Sequence, residues 1–281
     1  MPEQGQDFDL TAYLRRIGLD GPIPISAEGL ARLVQAHRMA IPFENLDIVL
    51  GRGISLAPQA IFDKLVHARR GGYCFEQNAL FDRALKALGF DGRPLMGRVW
   101  FRAEQGIVPP RTHQLELVML NEQPWIADVG FGGSLTPPLP LVEGEYGPDS
   151  DGLRFRLRHD DGHGWMFERQ GATHFMEITD DEAAIWQEQY SFTTDSVFEA
   201  DREMGNHWTS TRPNTRFTSI AMAHRIMENG YASLSGNRLK VRNGGDILLA
   251  EMKSAADIRN ALHRYFDMPV SDEEAAHIFA F

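Results

Sequence analysis

The first ninety residues carry the apolar spacing that is typical of amphipathic helices. In "SAEGLARLVQAHRMA", Ser26 is an N-cap residue type, and Glu28 suits the positive start of a helix. Four residues of this segment fall on one helical face: Leu30, Leu33, Val34 and His37. The segments "APQAIFDKLVHARR" and "FEQNALFDRALKALGF" repeat the spacing, and Gly89 is a helix-stop residue type. The pattern predicts a helical region that ends near residue 90.

Short strands are predicted between Arg93 and Tyr190, where brief apolar runs alternate with glycine, proline and aspartate. The predicted strands are "RPLMGRVWF", "HQLELVML", "PWIADVGF", "LRFRLRH", "GWMFER" and "THFMEIT". The segments "GEYGPDSDG" and "HDDGHG" are predicted turns. A metal site is an alternative interpretation of "HDDGHG", but a hairpin tip is the favoured one.

The rest of the chain mixes helices and strands. A helix is predicted around Ser196–Trp208, and strands are predicted in "RFTSIAMAHRI" and "NRLKVRN". Two further helices are predicted near Ala255–Phe266 and Asp272–Phe281. Helices first, strands next and a mixed tail together predict an α+β fold with three regions, at residues 1–90, 91–195 and 196–281.

Charge and composition exclude several classes of protein. The 281 residues include 39 acidic and 28 basic side chains, which gives a net charge of -11. A nucleic-acid binder needs a basic face, so that class is disfavoured, although a local basic pocket for a phosphorylated ligand is compatible with this charge. Neither a secretory signal nor a long apolar run for a membrane span is recognisable. A soluble cytoplasmic protein without a membrane or nucleic-acid partner is expected.

Cys74 is the only cysteine of the chain, so it forms no intrachain disulfide. It comes at the start of the third predicted helix, where unpaired N–H groups and the helix dipole favour a thiolate over a thiol. Arg69 and Arg70 are expected to add positive charge, and Gly71 and Gly72 let the backbone turn sharply. Two interpretations stay open, a nucleophile and a small buried apolar residue.

A cysteine nucleophile needs a base, and an acid that orients the base narrows the choice among ten histidines. The predicted strands "HQLELVML" and "PWIADVGF" carry His113 and Asp128. If the hairpin turn is centred between Leu120 and Asn121, these two side chains are directly opposed, about 5 Å apart at Cβ. If "NEQP" is the whole loop, they are offset by four residues, roughly 13 Å, and cannot pair. The sequence leaves both registers open.

Three segments resemble the arylamine N-acetyltransferases in their order and separation: "RRGGYCFEQN", "THQLELV" and "WIADVGFGG". The upstream "IPFENLDI" and the downstream "NHWTSTRPNTRF" also resemble segments of that family. The resemblance spans most of the chain. It implies a helical bundle at residues 1–90, a β-barrel at 91–195 and an α/β lid at 196–281.

The resemblance also implies an activity and a set of site residues. The implied catalytic residues are Cys74, His113 and Asp128, arranged as in cysteine proteases. The implied acyl donor is acetyl-CoA, the acceptor is an aromatic amine or hydrazine, and no metal takes part. The residues implied for the acceptor pocket are Phe43 and Phe131, and those implied near the CoA arm are Trp100, Thr112, Gly132 and Phe217. Core packing is the alternative for all four of the aromatic residues.

Acetyl transfer through a Cys74 thioester, in a ping-pong scheme, is the mechanism that the resemblance implies. Two rival functions stay open. One is a thiol hydrolase or transglutaminase-like enzyme that uses the same three residues, and the other is a non-catalytic binding protein of the same fold. An acetyl adduct on Cys74 distinguishes these possibilities.

Overall fold

The computed structural model describes residues 8–133, 136–148, 152–171 and 185–281. Its first part is helical, with one two-residue strand, β1 (Phe43–Glu44). The helices are α1 (Leu10–Ile17), α2 (Ala27–Ala40), α3 (Leu46–Val49), α4 (Pro58–Phe62) and α5 (Cys74–Ala87). The segment Asp63–His67 continues α4 as a π-helical turn. The helical region predicted from the apolar spacing is therefore confirmed.

Local signals and an apolar face together fix α2. Ser26 caps this helix, and its Oγ accepts a hydrogen bond from Gly29 N–H at 3.2 Å. On the buried face, His37 Nδ1 lies 2.8 Å from Tyr13 Oη and His37 Nε2 lies 2.7 Å from Gln77 Oε1. Burial lowers the pKa of His37 from 6.5 to about 3, so this imidazole is neutral. His37 therefore joins α2 to α1 and α5.

Eight strands in the middle of the chain form one antiparallel sheet that curls into a nearly closed barrel. They are β2 (Asp91–Val99), β3 (Arg111–Leu120), β4 (Gln123–Ala127), β5 (Leu139–Pro140), β6 (Gly144–Tyr146), β7 (Arg154–Asp160), β8 (Gly164–Gln170) and β9 (Gln187–Phe192). Their spatial order is β5-β4-β3-β2-β9-β8-β7-β6. Leu139 of β5 and Leu157 of β7 come from the first and the second-last strand of this order but belong to one buried core, so the sheet curves back on itself.

The last part of the chain forms a second antiparallel sheet covered by helices. Its strands are β10 (Met222–Met227), β11 (Gly230–Ser235), β12 (Arg238–Asn243) and β13 (Asp246–Glu251), which follow β1 in that order across the sheet. The helices are α6 (Glu199–Thr211), α7 (Arg216–Ser219), α8 (Ala255–Phe266) and α9 (Asp272–Ala280). Ile258, Phe266 and Ile278 of α8 and α9 are buried in the core beneath the sheet. Phe43 of β1 pairs with His224 of β10, so backbone pairing joins the first and third regions.

The predicted α+β class, with helices first, strands next and a mixed tail, is confirmed. The helix predicted near Ala255–Phe266 has those bounds, and "HDDGHG" forms the tip of the β7–β8 hairpin, where Asp160 pairs with Gly164. The region boundaries at residues 90 and 195 stay predictions. Across the described ranges, no helix combines the length and apolar character that a membrane crossing requires.

Several strands differ from the predicted set. The predicted turn "GEYGPDSDG" begins with strand β6, and the predicted strand "RFTSIAMAHRI" begins as helix α7. The strand predicted in "PWIADVGF" ends at Ala127, because the Asp128 side chain binds the next backbone N–H groups and bends the chain. The predicted set lacks β9, whose sequence "QEQYSF" is mostly polar, and it also lacks β11 and β13. The segment "THFMEIT" lies outside the described residues.

Candidate active site

Cys74 is the first residue of α5, as the sequence predicts. The helix begins there because Tyr73 is extended and the Glu76 carboxylate accepts a hydrogen bond from Tyr73 N–H at 3.1 Å. N–H groups in a first turn have no helical partner, so the surroundings of Cys74 are partly positive. The side chain is 4% exposed, and Sγ lies 3.7 Å from the Thr112 carbonyl oxygen. Helix α5 thus places the thiol against β3.

His113 on β3 and Asp128 beyond β4 form a buried pair. Asp128 Oδ2 lies 2.7 Å from His113 Nε2, and both side chains are at most 2% exposed. The register is neither of the two that the sequence leaves open: Leu120 pairs with Gln123, which by extension sets Leu115 opposite Asp128. His113 and Asp128 are therefore diagonal neighbours, two residues out of register. Diagonal neighbours on two paired strands are about 7–8 Å apart, and the side chains of a histidine and an aspartate can bridge that distance.

The environment of His113 keeps its ring protonated. Burial lowers the pKa of His113, but the charge and hydrogen bond of Asp128, with those of Cys74, raise it from 6.5 to about 10. Because His113 Nε2 is hydrogen-bonded to Asp128, Nδ1 is the ring nitrogen available for a hydrogen bond with Cys74. Burial also raises the pKa of Asp128, but His113, Arg38 and Asn78 bring it below its ordinary value. The pair is a carboxylate and an imidazolium around neutral pH.

Asn78 connects the helix of Cys74 to the carboxylate. Asn78 Nδ2 lies 3.1 Å from Asp128 Oδ1, 2.6 Å from the Gln114 carbonyl oxygen and 3.2 Å from that of Cys74. Its Oδ1 accepts a hydrogen bond from Val129 N–H at 3.1 Å. Asn78 comes one helical turn after Cys74, so both side chains project from the same face of α5. One amide thereby fixes the carboxylate relative to the start of the helix.

The loop after Asp128 folds over Cys74 and is held from two sides. Asp128 Oδ1 accepts hydrogen bonds from Gly130 N–H at 2.8 Å and Phe131 N–H at 3.0 Å. On the other side, the buried guanidinium of Arg38 donates to three carbonyl oxygens of the loop. These are the carbonyls of Val129, Phe131 and Gly133. Side-chain hydrogen bonds therefore fix the loop on both sides where it approaches the thiol.

The two arginines before Cys74 pair with carboxylates. Arg70 Nη2 lies 3.1 Å from Glu44 Oε1, and the Arg69 guanidinium pairs with Asp267 of the C-terminal region. Each of the two arginines therefore has a carboxylate partner, and the expectation that they add positive charge at Cys74 stays a prediction.

Lys64 lies at the centre of the ion pairs around Arg70. Its Nζ is 2.8 Å from Asp47 Oδ2, 2.8 Å from Glu76 Oε1 and 3.9 Å from Glu44 Oε1. Burial lowers the pKa of Lys64, but these three carboxylates raise it above its ordinary value. Since Glu76 also binds Tyr73 N–H, this charge network anchors the start of α5.

A cavity of about 270 Å³ opens beside Cys74 and His113. All three parts of the fold contribute to its walls, and the C-terminal sheet supplies His224 and Ser233, which pair directly across β10 and β11. Five of the residues predicted for ligand binding line it: Phe43, Thr112, Phe131, Gly132 and Phe217. A Cβ atom on Gly132 would lie 3.3 Å from the Phe43 ring, so a side chain there would crowd that ring. The cavity is mainly aromatic and apolar, as small-molecule sites commonly are.

Trp100 is the predicted ligand residue that the structure does not bring to this cavity. Its Nε1 donates to Ser191 Oγ at 2.8 Å, and its ring centroid lies 4.7 Å from that of His163. Val99 and Phe101 line the cavity instead. Trp100 directly follows the end of β2, and its contacts with Ser191 and His163 hold the ring outside the cavity.

Sequence reasoning missed Arg38 and Asn78. The spacing of Asn78, four residues after Cys74 on a predicted helix, was a usable signal, since that spacing puts both on one face. Arg38 gave no such signal. It binds backbone carbonyls more than 90 positions away in the sequence. Every residue type has a backbone carbonyl, so the sequence does not show which residues accept these hydrogen bonds.

Comparison with known proteins agrees with this architecture. The model of an N-acetyltransferase family matches residues 26–275. An arylamine N-acetyltransferase of Escherichia coli (strain K12) is 36% identical over 266 residues, which cover 94% of this chain and 90% of that protein. The solved arylamine N-acetyltransferase from Salmonella typhimurium superposes with a TM-score of 0.85 at 32% identity, over 97% of this chain and 98% of that one. For the Mycobacterium marinum arylamine N-acetyltransferase in complex with CoA, the TM-score is 0.85 at 31% identity, over 97% and 99%. This chain belongs to the arylamine N-acetyltransferase family.

Proposed function

We propose that the protein is an acetyl-CoA-dependent N-acetyltransferase that acts on arylamines or hydrazines in the cytoplasm. The observation that carries this proposal is the contact of His113 with both Cys74 and the buried Asp128, beside an aromatic cavity. Membership of the family and the CoA complex of a relative support acetyl-CoA as the donor. The single cysteine, free of any disulfide, is compatible with a reducing compartment.

In the first half-reaction, the Cys74 thiolate attacks the carbonyl carbon of the acetyl thioester. A bond forms between Sγ and this carbon, and the bond from the carbon to the CoA sulfur breaks. The departing CoA thiolate takes a proton from the His113 imidazolium. The Cys74 N–H, in the first turn of α5, is the proposed donor to the oxyanion of the tetrahedral intermediate. Cys74 is left acetylated and His113 neutral.

In the second half-reaction, the amine nitrogen attacks the acetyl carbonyl carbon. Neutral His113 takes the amine proton, the bond to Sγ breaks, and the amide leaves. The thiolate–imidazolium pair is restored, with Asp128 holding the ring in one tautomer throughout. Because one sulfur serves two substrates in turn, we expect ping-pong kinetics.

The cavity residues have distinct proposed roles. Phe43 and Phe131 are proposed to pack on the aromatic ring of the acceptor, and the Phe131 ring lies 5.2 Å from that of His113. Thr112, Gly132 and Phe217 are proposed to contact the CoA arm. Trp100 faces away from the cavity, and we assign it no contact there.

Intact-protein mass spectrometry tests the proposal. Incubation with acetyl-CoA alone should give one acetyl adduct, which peptide mapping places on Cys74, and later addition of an arylamine should remove it with formation of the amide. Cys74→Ser is the control and should show no adduct. Loss of the adduct to water at the same rate with and without amine would indicate a thiol hydrolase. A wild-type protein without any adduct would indicate a binding protein.

A further inference from the structure

A second cavity lies on another face of the molecule, between the helical region and the C-terminal sheet. It measures about 660 Å³ and shares no lining residue with the active-site cavity. Its walls are formed by α1, α2, the C-terminal end of β10 and α8, together with the segment before α5. We call it the arginine groove, after the six arginines that line it: Arg15, Arg16, Arg32, Arg69, Arg225 and Arg264.

The charge of the arginine groove is opposite to that of the whole chain. The protein has a net charge of -11, yet the groove has six arginines against two carboxylates, Glu228 and Asp267. Asp267 already pairs with Arg69. Five guanidinium groups and one carboxylate therefore remain along the groove. This concentration of positive charge creates a local electrostatic potential that attracts anions in an otherwise acidic protein.

Arg16 is the innermost of these arginines. Its side chain is 6% exposed, its Nε donates to the Leu65 carbonyl oxygen at 2.9 Å, and its Nη1 donates to that of Ala40 at 2.7 Å. Nη2 is buried and has no hydrogen-bond partner among the described residues. A buried guanidinium nitrogen without an acceptor is costly, and the charge of an anion in the groove offsets part of that cost.

The arginines of the groove also repel one another. Burial and the charges of Arg69 and Arg225 lower the pKa of Arg16 to about 10, although Asp267 opposes this. Burial and Arg69 likewise lower the pKa of Arg225, again against Asp267. Arg225 is fixed in place because its Nε donates to the Met39 carbonyl oxygen at 3.0 Å. An anion among these groups relieves the repulsion.

We propose that the arginine groove binds a small molecule that carries two or more phosphate groups. Each guanidinium group can donate two parallel hydrogen bonds to one phosphate group. Several guanidinium groups along one groove therefore suit a ligand with several phosphates. The volume is in the range of small-molecule sites. Bound there, the ligand joins α1 and α2 to β10 and α8, and Arg225 directly follows His224 in the wall of the active-site cavity.

Isothermal titration with inorganic pyrophosphate and with ADP, at low ionic strength, tests the groove in the full-length protein. We expect saturable binding of one equivalent that weakens with added salt, and a rise in melting temperature as the ligand is added. ADP binding as tightly as pyrophosphate, or more tightly, places the diphosphate of a nucleotide in the groove. Binding of pyrophosphate alone supports an inorganic or simpler phosphorylated ligand. Absence of binding by both probes overturns the proposal.

Variants locate the binding. Arg32→Gln and Arg264→Gln change exposed arginines that make few contacts, and each should weaken pyrophosphate binding about tenfold while the fold is kept. Arg242→Gln is the matched control, because Arg242 is exposed and, like Arg32, donates to one backbone carbonyl, that of Gly244. Equal weakening by Arg242→Gln contradicts a specific groove. Weakening by Arg216→Gln alone, at the active-site cavity, would place the phosphates there and overturn the proposal.

Discussion

Gly130 approaches Cys74 so closely that no side chain fits between them. A Cβ atom on Gly130 would lie 2.7 Å from Cys74 Cα, 2.8 Å from the Cys74 carbonyl oxygen and 2.5 Å from Asn78 Nδ2. Two of these three atoms belong to the backbone of α5, which cannot rotate away. The contact sets the distance between the loop that carries Asp128 and the helix that carries the thiol.

We therefore expect Gly130→Ala to separate the loop from α5. Activity should fall on the order of 100-fold, since displacement of a catalytic group by about 1 Å has an effect of that size. The free energy of unfolding should fall by about 1–3 kcal/mol through overpacking. Gly245→Ala is the control, because a Cβ there meets no atom within 4 Å. Acetyl-transfer assays and thermal unfolding of both variants check this, and an active Gly130→Ala protein would show that the spacing is not needed.

How much of this site is predictable from the sequence depends on the range of each signal. Ser26 as a cap, Cys74 at a helix start and the bounds of α8 follow from neighbouring residues, and all were predictable. The register of β3 and β4 was not. Its turn consists of Asn121 and Glu122, both with positive φ, at 48° and 65°. Glutamate in that conformation is uncommon, so "NEQP" does not identify the turn by residue type.

The supports of the site are harder to predict than its reacting groups. Cys74, His113 and Asp128 have side-chain chemistry that points to a role, whereas Arg38 acts on carbonyl oxygens, which every residue has. Trp100 shows the converse limit. A resemblance to a family assigns an expected role to a residue, but the local backbone decides on which side of the chain its side chain lies.

The second prediction concerns Asp128→Asn and pH. His113 has its pKa raised to about 10, so the stability of the pair is fully present below about pH 6.5 and is lost as pH rises through about 10. Asp128 has its pKa lowered, so its contribution is present above about pH 4 and is lost in acid. Asp128→Asn should lower the free energy of unfolding by about 3 kcal/mol near pH 6, and the loss should shrink towards pH 10.

The same substitution should reduce acetyl transfer on the order of 10³-fold or more, because His113 loses tautomer control. Asp160→Asn is the matched control, since Asp160 forms a partly exposed pair with Arg158 and should change stability by less than about 1 kcal/mol. Thermal unfolding measured from acid to alkaline pH is the readout. A difference between wild type and Asp128→Asn that stays constant with pH would contradict the ionised pair.

The third prediction concerns the charge network beneath α5. Lys64→Met leaves Glu44, Asp47 and Glu76 without the cation they share, so the protein should lose about 3–5 kcal/mol of unfolding free energy. Activity of the folded fraction should also fall, because Glu76 positions the start of the Cys74 helix. Lys253→Met, at an exposed position, should stay within about 0.5 kcal/mol of wild type. Urea unfolding of the two variants checks this, and equal stabilities would show that the network contributes nothing.

The last prediction concerns the resting state of the thiol. His113 keeps its proton up to about pH 10, so its imidazolium and the start of α5 both bring positive charge beside the Cys74 sulfur. We expect the rate of iodoacetamide labelling to change little between about pH 6 and about pH 8 and to fall only in acid, where the ion pair takes up a proton. Acetyl-CoA should protect Cys74, since the same sulfur becomes acylated. In Asp128→Asn the rate should instead rise steadily with pH, as for an unassisted thiol. Labelling of the wild type that rises in the same way, or that fails at every pH, would remove the thiolate–imidazolium pair from the mechanism, because the first profile indicates an unactivated thiol and the second a purely structural one.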